Sequence, residues 1–164
     1  MINQNEQGRT MLEMLGVIAI IGIITYGAIA GINYGMSSYR INQTYSEIQD
    51  IVQGIQDLYS WNKGYPNDSD SIMKAACEND VFARPCNAGN TQVSCPFGDD
   101  MRVVPCTDNS PKCGMVGSLY DNFKIEFSVP KEDERQRLLD MDWSSIHVDC
   151  SSPDNNKNIV CIPE

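Results

Sequence analysis

The chain has 164 residues, 12 of them Lys or Arg and 22 Asp or Glu, which leaves a formal charge of −10. That length suits one compact domain with an appendage, and the acidic balance argues against a nucleic-acid-binding domain, which needs a basic face to neutralise phosphates. Hydrophobic residues make up an ordinary 41% but crowd into one block near the N-terminus, while all seven cysteines lie from Cys77 onward, a density that points to an oxidising compartment rather than the cytosol.

From Met14 to Ile32 the sequence MLGVIAIIGIITYGAIAGI carries no charge. As a helix it covers roughly 28 Å, close to the thickness of a bilayer core, and a helix satisfies every backbone amide internally, as lipid requires. Arg9 is the only basic residue before the block and Arg40 the next after it, so the positive-inside rule places the N-terminus in the cytoplasm. A plain membrane anchor accounts for the length. A secretory signal peptide is the rival, with Ala28-Ile29-Ala30 as the small-x-small site of a cut after Ala30. Against that rival, the stretch MINQNEQG holds no Lys or Arg, and nothing marks a helix break before Ala30. Neither reading explains the carboxylate of Glu13 at the entrance, which is costly at the edge of a lipid-bound helix unless it finds a partner.

The entrance reads Gly8-Arg9-Thr10-Met11-Leu12-Glu13, followed by the Val-, Ile-, Ala- and Gly-rich helix, and this resembles the class III signal of type IV pilins and pseudopilins. The resemblance implies a cut after Gly8 by a prepilin peptidase, methylation of the new N-terminus at Arg9, and Glu13 at the fifth mature position. Two features depart from the family pattern: the leader lacks basic residues, and Arg9 stands where Phe, Met or Leu is commoner. The resemblance further implies that Glu13 of one subunit pairs with the N-terminus of the next and sets axial register. An unpaired buried charge costs several kcal/mol, so mis-registered copies would be rejected.

Beyond the apolar block, Ile41, Tyr45, Ile48, Val52, Ile55 and Tyr59 recur at alternating spacings of four and three, with polar residues between them. This pattern predicts one amphipathic stripe and so a helix from Thr10 to Tyr59, apolar all round and then one-sided. Gly27, Gly31 and Gly35 are spaced four apart. Such a row permits close helix approach, or local melting, since each glycine weakens a helix by about 1 kcal/mol relative to alanine.

After a turn at Gly64-Tyr65-Pro66-Asn67-Asp68, the chain is punctuated by Pro85, Pro96, Pro105 and Pro111. A short helix is expected over Ser71–Cys77 and a strand over Met101–Cys106. Asn122–Val129 alternates cleanly, with Phe123, Ile125, Phe127 and Val129 on one face of a strand. Lys131–Met141 reads as a helix whose acidic first turn suits the helix dipole. Trp143–Cys150 and Asn158–Ile162 read as the last two strands. The expected fold class is α+β: a long N-terminal helix whose second half packs on a small antiparallel sheet, the lollipop of the pilin family. Leu58-Tyr59, Gly64-Tyr65 and Phe123–Leu139 are similar to elements of the type IVb branch, including conjugative thin-pilus pilins. The resemblance divides the chain into a leader (1–8), a transmembrane and polymerisation helix (9–34) and a disulfide-stabilised head (35–164).

The resemblance also implies a disulfide between Cys150 and Cys161, which closes a loop worth roughly 3 kcal/mol in the chain-entropy model. The remaining Cys77, Cys86, Cys95, Cys106 and Cys113 allow two bridges and a free thiol, or an intermolecular bridge. Zinc is disfavoured because no Cys-x2-Cys pair is present. Asp99-Asp100 and Asn67-Asp68-Ser69-Asp70 lack a full calcium ligand set. The lone His147 is read as a strand residue on the surface, and no nucleophile elbow, phosphate loop or His-Glu-x-x-His run occurs. No enzyme, metal or cofactor is therefore expected.

The resemblance implies a structural subunit, held by its helix in a bacterial inner membrane and then polymerised into an extracellular filament. Its partners would be further copies of itself, the prepilin peptidase and the pilus assembly platform, with no nucleic acid. A pseudopilin of a type II secretion system is the near alternative, and a secreted disulfide-rich binding protein starting at Gly31 the distant one.

Overall fold

The computed structural model describes residues 4–107, 112–153 and 157–164. Two compact units are present, residues 1–39 and 40–164, and one helix, α1 (Gln4–Tyr59), runs through both. The second unit adds α2 (Ser69–Glu78), β1 (Val93–Ser94), β2 (Asp100–Pro105), β3 (Met115–Val116), β4 (Leu119–Tyr120), β5 (Phe123–Ser128), α3 (Glu132–Leu139), β6 (Val148–Ser151) and β7 (Asn158–Pro163). Its sheet is antiparallel throughout, in the order β1-β2-β5-β7-β6, with β3 and β4 forming a separate hairpin.

The second half of α1 carries its stripe into the core of that unit. Ile41, Ile48, Val52 and Ile55 are buried as the spacing predicts, Tyr45 and Tyr59 pack against them, and Ile51 and Thr44 widen the face. The same cluster takes in Phe123, Ile125 and Phe127 from β5, Met101 and Val103 from β2, and Ile159 and Cys161 from β7. Each of these strands presents one face inward because side chains alternate. α2 adds Ile72, Met73 and Ala76. It starts at Ser69 because the Asp68 carboxylate accepts the N–H groups of Asp70 and Ser71, an N-cap that satisfies two orphan donors. Close contacts complete the packing. A Cβ on Gly54 would lie 2.6 Å from Val81 Cγ1, and one on Gly64 would lie 2.5 Å from the Tyr120 carbonyl oxygen.

Partly buried ion pairs tie α1 to the rest of its unit. Arg40 Nη2 donates to Glu134 Oε1 at 3.0 Å, with Lys131 Nζ 3.5 Å from the same oxygen and Glu134 only 2% exposed. Arg84 Nε bonds Glu47 Oε1 at 3.0 Å. The acidic first turn of α3 is thus more than a match to the helix dipole, because Glu134 is its buried anchor.

The expected strand over Trp143–Cys150 is only half present. Trp143–Ile146 form a 3-10 turn, and β6 begins at Val148. Asp142 captures the Ser144 N–H at 3.2 Å, and Trp143 Nε1 donates to the Leu138 carbonyl at 2.9 Å, so local side-chain bonds outcompete the ladder. His147 ends that turn in the left-handed region at φ 55°, outside any strand. Three two-residue strands, β1, β3 and β4, were not expected, being too short to show alternation.

Candidate functional site

The first unit defines the candidate site. Every residue from 11 to 36 is exposed, including Ile18, Ile21, Ile24 and Ile32 at 57–65%. A helix that is apolar on all sides and bare on all sides has buried nothing within its own chain. By length and hydropathy it is able to cross a membrane. Its polar side chains within the apolar block are Thr25 and Tyr26. The Thr25 hydroxyl donates to the Ile21 carbonyl at 2.8 Å, so it is satisfied inside the helix.

Gly8 and Arg9 lie on the helical backbone of α1, and residues 1–3 of the expected leader lie outside the described residues. Glu13 follows one turn later, on the exposed surface of α1. Apart from the helix's own adjoining backbone, Gly16, Gly22, Gly27, Gly31 and Gly35 have no heavy atom within 4 Å of where a Cβ would stand. Unlike Gly54 and Gly64, they answer to no contact within the chain. Five glycines in one helix cost about 4–5 kcal/mol in propensity relative to alanine, so their place must be explained by what lies outside it.

The cysteines resolve into three bridges, Cys77–Cys86, Cys106–Cys113 and Cys150–Cys161, with Cys95 free. Cys150 and Cys161 face each other directly across β6 and β7. The sequence left the other five cysteines open because pairing depends on which loops the sheet brings together. The N–H of Cys95 and the carbonyl of Asp99 close a tight turn before β2, at 2.7 Å. That turn seals the thiol, and burial pushes its pKa up to about 12. A thiol of that kind stays protonated and is no nucleophile at neutral pH.

Tyr59, Tyr65 and Phe123 form a chain of ring contacts at 5.4 and 5.0 Å, and burial raises the pKa of both tyrosines. Lys112 Nζ bridges Asp149 and Glu164 at 3.3 and 3.0 Å. The outer face of the sheet is an open concavity where Arg102 opposes Glu126 and Lys124 contacts Glu126, lined by three cationic and four acidic side chains. No cluster of three His, Cys, Asp or Glu able to hold a metal exists among the described residues. Comparison with protein-family models, with curated proteins and with solved structures returned no match.

Proposed function

We propose that this chain is a structural subunit of a type IV pilus-like filament, anchored in the inner membrane through α1 and polymerised through the same helix. The observation that carries the reading is the exposed, predominantly apolar stretch 14–36 of α1, preceded by the Gly8-Arg9-Thr10-Met11-Leu12-Glu13 register. Such a helix needs lipid in one state, and in a polymer it needs neighbouring helices. Both remove the same apolar surface from water, so transfer from membrane to filament exchanges one apolar environment for another. Glu13 sets the axial register in the polymer. Near a free amine at Arg9, its own or a neighbour's, the carboxylate is neutralised, and a copy in the wrong axial position leaves it unpaired.

The head, residues 40–164, has the properties of a domain that works outside the cytoplasm. Three disulfides tie it together, and its surplus of carboxylates keeps the exposed face solvated. It would supply adhesion or partner contacts.

The test is a Glu13→Ala substitution in the cell that makes the protein, with sheared surface filaments and membranes assayed separately. The reading expects the parent chain in both fractions and the variant in membranes alone. Equal incorporation of the variant into filaments would contradict it.

A further inference from the structure

Tyr26 is the one polar group of the apolar block that the chain leaves unanswered. Its ring is 78% exposed, and among the described residues nothing takes a hydrogen bond from its hydroxyl, whereas the neighbouring Thr25 closes on Ile21. Along the helix Tyr26 lies about 18 Å above Met14 and about 9 Å below Ile32. Side chains lean toward the helix N-terminus, so the hydroxyl is aimed at the middle of the block, away from the nearer end. Hydrocarbon offers it no acceptor, and an unpaired hydroxyl there is costly.

The same helix face offers a complement to the ring. Ala19, Gly22 and Ala30 stand seven and four residues before Tyr26 and four after it, on one side of α1. At Gly22 nothing fills the space a Cβ would take, so the backbone is bared one turn below the ring. A projecting ring beside a recess is a self-complementary surface, and backbone carbonyls bared by small residues have a spare lone pair to accept with. This face lies roughly a quarter-turn or more from Gly27, Gly31 and Gly35.

Resting on the polymerising reading, we infer that Tyr26 is a helix–helix contact residue. Its ring seats in the Ala19–Gly22 recess of a second copy of this chain, and its hydroxyl donates to a backbone carbonyl there. The occupant is protein because lipid lacks the acceptor, and it is a second copy because the knob and the recess share one face of one helix.

The test uses the full chain reconstituted at low density in phosphatidylcholine vesicles. Insertion is checked by resistance to alkaline extraction, and self-association is read by energy transfer between donor- and acceptor-labelled chains. Tyr26→Phe keeps the ring and removes the donor, and is expected to weaken association about three- to tenfold. Gly22→Leu fills the recess and is expected to weaken it at least as much, while Tyr34→Phe changes it less than twofold. Association of Tyr26→Phe equal to the parent's would overturn the contact and leave the polymerising reading standing. A parent chain that inserts but never associates would overturn both.

Discussion

The two halves of α1 use one backbone conformation for opposite purposes. From Ile41 to Tyr59 the apolar residues form a single stripe, sunk into a core shared with β2, β5 and β7, and the polar residues Arg40 and Glu47 pair with Glu134 and Arg84. From Met11 to Met36 the apolar residues go all the way round and stay exposed. Glycine shows the same division, with Gly54 pressed against Val81 and Gly31 facing open space. The lesson is that helical hydrophobicity has meaning only with its geometry. A stripe is completed by the chain that carries it, and a full sleeve is completed by something else.

The largest effect should come from breaking the completed half. Glu134→Ala leaves the partly exposed Arg40 without its partner and empties a buried site; loss of one partner of a buried pair costs about 3–5 kcal/mol, and the solvent that reaches Arg40 puts this one at the low end, read as a drop in the melting temperature of the head. Next is the bridge across β6 and β7. A Cys150→Ser, Cys161→Ser double variant is expected to lose about 3 kcal/mol in denaturant titration. The comparison sharpens with a matched pair of glycine substitutions. Gly54→Ala should destabilise the head by about 1–3 kcal/mol by forcing Val81 aside, whereas Gly31→Ala should leave head stability unchanged and raise the helicity of the first unit.

The smallest effects concern protons. The Asp68 carboxyl is held below its usual range by the Ser71 hydroxyl and by backbone N–H groups. A lowered folded pKa contributes stability above the unfolded value of 3.8, lost as pH falls through the folded one. The melting temperature of Asp68→Ala should therefore sit slightly below the parent's at pH 7, and the gap should narrow below pH 3.8. The raised pKa of Cys95 leads to a related expectation. Thiol reagent at pH 8 should find no reactive group in the folded chain and one after unfolding without reductant.

Much of this fold is legible because periodicity carries it. The α1 stripe and the alternation of Phe123, Ile125 and Phe127 follow from side-chain direction, and the acidic start of α3 from the helix dipole. What the sequence hid depends on tertiary context or on local side-chain bonds. The 3-10 turn at Trp143–Ile146 exists because Asp142 and Leu138 offer partners to Ser144 and Trp143. The burial of Glu134 needs Arg40, which stands 94 residues away. At the candidate site, the Gly8–Glu13 register is legible through its resemblance to a known signal and the glycine row through its spacing, while Tyr26 stands out only because Thr25 closes on Ile21 and Tyr26 does not.

The central claim is that the sleeve of α1 stays with the mature protein, and intact mass with N-terminal peptide mapping of the native chain, without reductant, tests it most directly. The account predicts a chain that starts at an N-methylated Arg9 and carries six of its seven cysteines in disulfides. A chain that starts at Gly31 would contradict it, because the helix said to anchor and polymerise the protein would then be missing from the finished molecule.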